Sequence, residues 1–234
     1  MKITTIPADF VPHIAASVQV LSDCKDEVNR LNVFPVPDGD TGTNMSLTME
    51  AVLKELLALP QGMTLTDICK AITHGSLMGA RGNSGVITSQ ILRGICDGLV
   101  EAENFDAHSV STALDKAVEV AFSAVRKPVE GTILTVLRDV RDAARTQADA
   151  GAPVATLLPA LREAAYASVK RTPELLPILK ENGVVDAGGY GLALLIDGFI
   201  SSITGESSVK FESSVAALSP GKVAIEQIND WEGS

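Results

Sequence analysis

Aromatic side chains are scarce in this chain. Phe, Trp and Tyr make up 4% of its 234 residues, whereas hydrophobic residues as a whole make up 46%. The core must therefore be built from Leu, Ile, Val and Ala, which pack closely when helix lies on helix. Strand patterns are also nearly absent before residue 205, while apolar residues recur at helical spacing elsewhere. These two absences predict an all-α fold.

The chain also lacks an excess of positive charge, since 19 Lys and Arg stand against 29 Asp and Glu, for a net charge of −10. This balance argues against nucleic acid or an anionic membrane surface as the main partner. A nucleotide ligand is compatible with this negative net charge, because magnesium offsets the phosphate charge locally. The three cysteines, Cys24, Cys69 and Cys96, are odd in number and widely spaced, which argues against a disulfide framework or a zinc site.

A leader sequence and a long uninterrupted apolar run are missing as well. Residues 1–30 show no basic start followed by an apolar stretch, so we predict no signal peptide. The most apolar segment, 190–204, is short for a membrane span and contains Asp197, so we interpret it as a core helix. The expectation is a soluble, cytoplasmic protein without a membrane span.

Helical periodicity is what the chain has in abundance. In the segment 84–101, for example, Ile87, Ile91 and Ile95 form one row, with charged residues in the opposite row. About eight such patterns are present, joined by short loops that hold most of the Gly and Pro. They span 8–30, 42–58, 64–78, 84–101, 107–126, 131–148, 153–171 and 188–204.

The composition changes at Gly205. From there to the end Ser, Gly, Glu and Asp dominate, with only short apolar runs between them. Such a segment is typical of a linker, of a frayed end or of the strand-forming start of another domain. We therefore predict a helical domain at 1–204 and a linker or the start of a following domain at 205–234.

Two carboxylates, Asp38 and Asp40, stand one residue apart in the loop before the second helical pattern. Paired carboxylates are ligands for a hard divalent cation, and Asn32 could add a neutral oxygen. The polar run 41–44 then opens a helix, and a helix N-terminus is where a phosphate binds. Together they suggest a magnesium-nucleotide pocket. The alternative is an ordinary Asp-Gly turn followed by an aspartate cap.

A second loop, 78–85, is rich in glycine and lies directly before the strongest helical pattern. Glycines allow backbone N–H groups to approach an anion closely, Ser84 and the helix start could bind phosphate, and Arg81 could add charge. The loop matches neither the Walker nor the Rossmann pattern. The alternative is a glycine-rich turn between two helices.

Two further loops have the same character. In 127–132, Thr132 begins a helix and could offer its hydroxyl and N–H to a phosphate, while Lys127 and Glu130 are either site residues or solvated charges. In 183–191, Asp186 is the expected N-cap of the last helix. Its glycines either leave room for a flat base or serve close packing.

The four segments together resemble one family, the ATP-binding domain shared by the L subunit of bacterial dihydroxyacetone kinases and the kinase subunit of bacterial fatty acid kinase. The similarity to the fatty acid kinase is the closer one, and it covers about residues 8–204. The matching motifs are Asn-Val-Phe-Pro-Val-Pro-Asp-Gly-Asp-Thr-Gly-Thr-Asn-Met at 32–45, Leu-Met-Gly-Ala-Arg-Gly-Asn-Ser-Gly-Val at 77–86, Lys-Pro-Val-Glu-Gly-Thr-Ile-Leu-Thr-Val at 127–136 and Val-Val-Asp-Ala-Gly-Gly-Tyr-Gly at 184–191.

The resemblance implies an eight-helix barrel (DhaL-like) with ATP or ADP bound in the loops at one end. It implies that Asp38 and Asp40 are the catalytic residues and hold two magnesium ions, with Asn32 in place of a third aspartate that the dihydroxyacetone kinases carry upstream. The remaining residues implied to contact the nucleotide are Thr41, Thr43, Asn44, Gly79, Ala80, Arg81, Gly82, Asn83, Ser84, Gly85, Thr132, Asp186 and Gly188.

The resemblance further implies a phosphoryl acceptor carried by another protein. For the fatty acid kinase this is a fatty acid on a separate lipid-binding subunit, which gives an acyl phosphate for phospholipid synthesis. A carboxylate acceptor is already ionised at neutral pH and needs no general base. This agrees with a sequence in which no Ser/His/Asp or Cys/His arrangement can be argued.

Two alternatives stay open: a dihydroxyacetone kinase L-type subunit, and a nucleotide-binding module without catalysis. The absence of the upstream aspartate disfavours the first. The family's full kinase subunit is much longer than this chain, which suggests an excised N-terminal domain. Such a fragment can bind ATP without transferring a phosphoryl group, and a homodimer would form through the further domains.

Overall fold

The computed structural model describes residues 10–102 and 104–207. This part of the chain folds into nine α-helices and contains no strand. The helices are α1 (Phe10–Arg30), α2 (Thr41–Leu57), α3 (Leu65–Gly79), α4 (Gly82–Val100), α5 (Ala107–Ala124), α6 (Ile133–Asp149), α7 (Val154–Leu175), α8 (Pro177–Asn182) and α9 (Ala187–Thr204).

Eight of these helices form a closed ring. Each helix from α1 to α7 packs against the next one along the chain, and α9 packs against both α7 and α1. The expected all-α barrel is therefore confirmed. Helix α9 ends at Thr204 and is followed by Gly205 with a φ of 72°, and the domain boundary predicted at this point stays a prediction. The predicted linker from residue 208 onward lies outside the described residues.

The short helix α8 is absent from the sequence-based prediction. It has six residues, from Pro177 to Asn182, and ends at Gly183 in the left-handed conformation with a φ of 65°. Proline is favoured at the first position of a helix and glycine directly after the last, so both ends obey ordinary rules. Fewer than two turns give no period to detect, so only the glycine stop is visible in the sequence.

Small residues explain how the barrel is built with so few aromatic rings. At the contact between α4 and α5, a Cβ added to Gly94 would lie 2.4 Å from the Cα of Ala117, and one added to Gly98 would lie 2.6 Å from the Cα of Ala113. The two backbones therefore nearly touch. Inside the ring, mainly Leu, Ile and Val side chains, together with Phe10, Phe105 and Phe199, line an apolar cavity of about 230 Å³.

Helix α9 is the one helix among the described residues that is long and apolar enough to cross a membrane. However, 67% of it is buried inside the barrel. Its position in the ring, between α7 and α1, agrees with the interpretation of this segment as a core helix.

The direction of the helices decides which loops meet. Residues from the starts of α2, α4, α6 and α9 line a single cavity, so these four helices begin at the same end of the barrel. The starts of α3, α5 and α7 lie at the opposite end, because each of these helices follows one that begins at the first end. All four predicted loops therefore lie on one side of the molecule.

Candidate nucleotide-binding site

The four loops singled out in the sequence converge on one cavity of about 690 Å³. The barrel brings them together although they are spread over more than 150 residues of sequence. The predicted residues on its wall are Asn32, Asp38, Asp40, Thr41, Asn44, Gly82, Asn83, Ser84, Thr132, Asp186 and Gly188.

Five predicted residues lie beside the cavity instead of on its wall: Thr43, Gly79, Ala80, Arg81 and Gly85. Two of them are packing residues. A Cβ added to Gly79 would lie 2.2 Å from the Cβ of Ala51 in α2, and one added to Gly85 would lie 2.4 Å from the hydroxyl oxygen of Thr48 in the same helix. Arg81 is exposed, and its Nη1 donates a hydrogen bond of 2.9 Å to the neighbouring carbonyl oxygen of Ala80. The alternative of a glycine-rich turn thus describes part of this loop well.

Asp40 occupies the N-cap position of α2, but its carboxylate makes no capping hydrogen bond. The cap comes from another helix, since Asn29 of α1 accepts a hydrogen bond of 3.1 Å from the backbone N–H of Thr43 through its Oδ1. The Asn29 Nδ2 also donates to the Thr43 hydroxyl at 3.0 Å. The Asp40 carboxylate is therefore left facing the cavity. Sequence reasoning missed Asn29, because its partner lies 14 positions away.

Asn32 is buried, with 7% of its surface exposed. Its Nδ2 donates to the carbonyl oxygen of Val36 at 2.6 Å and to Asp38 Oδ1 at 3.2 Å. Its Oδ1 accepts a hydrogen bond from the hydroxyl of Thr41. The carboxamide thus joins both ends of the loop that carries the two aspartates. The role of Asn32 as a cation ligand stays a prediction, but its oxygen already has a partner.

The start of α4 offers free backbone N–H groups to the cavity. Arg81 stands at the N-cap position and makes no side-chain capping bond. Gly82, Asn83 and Ser84 form the first turn and line the cavity. Gly82 has a φ of 56°, and a Cβ there would lie 2.4 Å from Asn44 Nδ2, so only glycine fits. Uncapped N–H groups at a helix start form a ready anion site.

The start of α6 lacks a cap from its own N-cap residue, although its first N–H, on Ile133, is bound by Asp186. The hydroxyl of Thr132 donates to the carbonyl oxygen of Val129 at 2.8 Å and does not cap the helix. Two exposed basic residues, Arg126 and Lys127, lie on the cavity wall beside this helix start. Lys127 was a candidate from the sequence, whereas Arg126 was missed although it directly precedes Lys127. Positive charge next to two helix N-termini favours a polyanion such as a nucleotide phosphate chain.

Glu130 is a structural residue of the same loop. Its two carboxylate oxygens accept hydrogen bonds of 2.6 Å from both Nη atoms of Arg138, and Oε2 also accepts from the Thr135 hydroxyl at 2.8 Å. The paired Arg138 guanidinium lowers the pKa of Glu130. These contacts hold the loop against α6, so the role that the structure gives to Glu130 is to position this loop.

Asp186 fixes the positions of two helix starts. Its buried carboxylate accepts hydrogen bonds from the backbone N–H of Gly189, at 2.7 Å, and from that of Ile133. It therefore caps α9, as predicted, and ties α9 to the start of α6. Burial raises the pKa of Asp186 to about 7, against the lowering effect of these two hydrogen bonds.

The rest of the wall is apolar and includes Phe34, Val86, Val125 and Ile133. Such a surface suits the flat face of a nucleotide base. The cavity wall, as far as the structure describes it, contains no His, Cys or Glu. Among all the residues that the structure describes, no group of three or more His, Cys, Asp or Glu side chains is placed to hold a metal ion. A pair of aspartates still fits magnesium, which is commonly held by one or two carboxylates together with substrate phosphates.

The DAK2 domain family model matches residues 35–201 of the chain. The chain therefore belongs to this family of kinase-type domains. Curated relatives include protein YloV of Bacillus subtilis, 46% identical over 211 residues, which cover 88% of this chain and 37% of YloV. Another is the uncharacterized protein SSP1546 of Staphylococcus saprophyticus, 45% identical over 85% of this chain and 36% of its own length.

Among solved structures, the barrel is similar to a dihydroxyacetone kinase from C. freundii in complex with AMP-PNP and Mg²⁺. The TM-score is 0.59 at 20% sequence identity, over 85% of this chain and 34% of that one. This likeness establishes the shared fold. The chain spans little more than a third of the length of these relatives and of the solved kinase.

Proposed function

We propose that this domain binds magnesium-ATP in the 690 Å³ cavity and supplies the γ-phosphoryl group to a fatty acid carboxylate held by a separate lipid-binding protein. The observation that carries the proposal is that Asp38 and Asp40 share one cavity with the uncapped start of α4. The similar kinase from C. freundii has AMP-PNP and Mg²⁺ in its structure, which supports the same ligands here.

Each part of the proposed site has one role. The carboxylates of Asp38 and Asp40 would hold the magnesium ions, whose charge offsets that of the phosphates. The backbone N–H groups of Gly82 and Ser84, at the start of α4, would hold the phosphate oxygens. Arg126 and Lys127 would contribute positive charge at the cavity wall. The apolar residues on the same wall would contact the base.

The lack of an unoccupied His, Cys or Glu on the described cavity wall supports a carboxylate as the acceptor. A carboxylate oxygen attacks the γ-phosphorus directly, the bond from that phosphorus to the bridging oxygen of ADP breaks, and an acyl phosphate forms. No proton has to be removed, so this transfer needs no base, and positioning and electrostatics carry the catalysis. Asp186 has the pKa of a base, but it is buried and occupied by two backbone N–H groups. A hydroxyl acceptor would require a base from elsewhere.

A dihydroxyacetone kinase L-type role is the second candidate, because the fold is shared with such a kinase. A nucleotide-binding module without catalysis is the third. The intact parent protein, mixed with ATP, a fatty acid and its lipid-binding partner, should form an acyl phosphate, which hydroxylamine traps as a hydroxamate. ATP consumption only with dihydroxyacetone and its partner subunit would favour the second role. A lack of turnover with every partner would favour the third.

Binding is tested separately on the isolated domain. Asp38→Ala combined with Asp40→Ala should abolish magnesium-dependent ATP binding in calorimetry. The matched control is Asp142→Ala with Asp149→Ala, which removes the same charge from exposed positions on α6 away from its start. Equal affinity in the two double variants would overturn the cation assignment.

A further inference from the structure

We propose that Asn29, in the last turn of α1, and Asn32, two residues after that helix, are positioning residues that keep the carboxylates of Asp40 and Asp38 available to a cation. The proposal rests on the proposed function, because it takes these two carboxylates as the cation site. It gives a role to Asn29, and it replaces the ligand role predicted for Asn32.

Asn29 does for α2 what a capping residue normally does for its own helix. An N-cap side chain usually accepts a hydrogen bond from the second or third N–H of the helix. Here Asn29 accepts from that third N–H, on Thr43, while Asp40 holds the N-cap position with φ −120° and ψ 0°. The side chains that do cap their own helices, Thr64, Asp106 and Asp186, have extended backbones, with ψ of 165°, −177° and 121°. Two features therefore keep the Asp40 side chain from capping α2: its backbone is not extended, and Asn29 already accepts the hydrogen bond.

Capping by Asn29 in place of Asp40 matters because one carboxylate cannot bind a helix N–H and a cation equally well. If Thr43 N–H lacked Asn29, the carboxylate of Asp40 would be the acceptor next to it in sequence. A carboxylate that turns back to cap α2 turns away from the cavity. Asn29 is neutral, so it satisfies the helix start without adding charge next to the cation site.

Asn32 orients the other carboxylate. Its amide group presents Nδ2 to Asp38 Oδ1 at 3.2 Å and to the Val36 carbonyl oxygen at 2.6 Å. The amide oxygen lies on the other side of the group and accepts from the hydroxyl of Thr41. A cation bound by Asp38 would therefore meet the donor side of Asn32. One oxygen of Asp38 is fixed by this contact, which leaves the second oxygen for the cation.

Cation affinity tests both asparagines. Mn²⁺ binding is measured by electron paramagnetic resonance for the wild type, Asn29→Ala, Asn32→Ala and Asn32→Asp. Each variant should raise the Mn²⁺ dissociation constant about tenfold or more, the usual cost of removing a partner of a ligand. The control is Thr64→Ala, which removes a helix cap at the opposite end and should lower the melting temperature without changing the affinity. Tighter binding in Asn32→Asp would identify this position as a ligand and overturn its positioning role.

Stability without a cation tests the capping exchange. Asn29→Ala alone should lower the melting temperature only slightly, because Asp40 then caps α2. Asn29→Ala combined with Asp40→Ala should lower it by more than the sum of the single changes. Additive changes would overturn the role of Asn29. Equal Mn²⁺ affinities in the wild type and the asparagine variants would overturn only this proposal. A wild type that binds no Mn²⁺ would overturn the proposed function as well.

Discussion

The starts of α3 and α5, away from the cavity, and the start of α4, at the cavity, are capped in opposite ways. At the end away from the cavity, α3 and α5 begin with complete capping boxes, formed by Thr64 with Asp67 and by Asp106 with Ser109. At the cavity end, α2, α4 and α6 have no capping bond from the residue at their N-cap position. Each such cap stabilises a helix by about 1 kcal/mol. The start of α4 therefore gives up local stability and keeps its N–H groups for a ligand.

The carboxylates at the two ends should respond to pH with opposite signs. Burial raises the pKa of Asp186 to about 7, so the folded state binds more protons than the unfolded state between about pH 4 and pH 7. Stability should fall through this range as pH rises, by up to roughly 4 kcal/mol. Asp186→Asn should remove most of this slope in melting curves recorded at pH 5 and pH 8. The same slope in the variant would show that another group titrates.

The carboxylate to compare is Asp67. Its hydrogen bonds with the backbone and side chain of Thr64 lower its pKa. Its contribution is therefore present above about pH 4 and is lost as pH falls further, through the folded pKa. Asp67→Asn should reduce stability at pH 7 and leave the slope between pH 5 and pH 8 unchanged. A changed slope in this window would contradict the assignment of that slope to Asp186.

Two glycines with positive φ separate the cost of backbone strain from the cost of a blocked site. Gly82, at the cavity end, has a φ of 56°, and an added Cβ would lie 2.4 Å from Asn44, whereas Gly62, between α2 and α3, has a φ of 82° and open space around it. Substitution by alanine should destabilise both proteins by about 1 kcal/mol or more. Only Gly82→Ala should also weaken ATP binding, by about a hundredfold, since it displaces the phosphate-binding turn. Equal ATP affinity of the two variants in calorimetry would contradict the site.

Supplying the missing cap should make the cavity end resemble the other end. Arg81→Asp places a capping carboxylate at the start of α4, and this should raise the unfolding free energy by about 1 kcal/mol. It should weaken ATP binding at the same time, because the new carboxylate competes with phosphate for the same N–H groups. Arg81→Ala is the control for loss of the arginine alone. A stabilised variant with unchanged affinity would show that α4 does not hold the phosphates.

Thr64→Ala is expected to have the smallest effect. It removes one capping box at the far end and should cost about 1 kcal/mol or less of stability in denaturant unfolding. ATP affinity should stay at the wild-type value, because the residue lies at the opposite end from the cavity. A loss of ATP affinity would mean that the two ends are coupled through the barrel.

Much of the barrel could be predicted from the sequence, because long amphipathic helices repeat a period that the residues show directly. The segment 84–101 matches α4 within two residues. For α7 the pattern predicts an end at 171, but the helix continues to Leu175 through Pro173. Proline late in a helix is not an absolute stop when its lost hydrogen bond falls near the end.

The site was predicted less completely, and the reason is physical. Asp38, Asp40 and Thr132 are recognisable because their type and their place before a helix indicate chemistry. Asn29 is an ordinary polar residue inside a helix, and its role depends on a contact with Thr43 that forms only when α1 and α2 pack together. Gly79 could not be distinguished from a ligand-binding glycine, because both need the absence of a side chain.

The closing contact of the ring, between α1 and α9, has a consequence for how the chain folds. In every other pair of ring neighbours the two helices are adjacent or nearly adjacent in sequence. Between α1 and α9, by contrast, the hydroxyl of Ser17 donates a hydrogen bond to the carbonyl oxygen of Leu195, which lies 178 positions away. Sequential helical hairpins can form early, since their loops are short. Helix α1 can pack against α2 early, but its contact with α9 forms only after α9 has been synthesised. During synthesis the surface of α1 that packs against α9 stays uncovered until α9 has left the ribosome, so we expect ring closure to be the last step of barrel assembly.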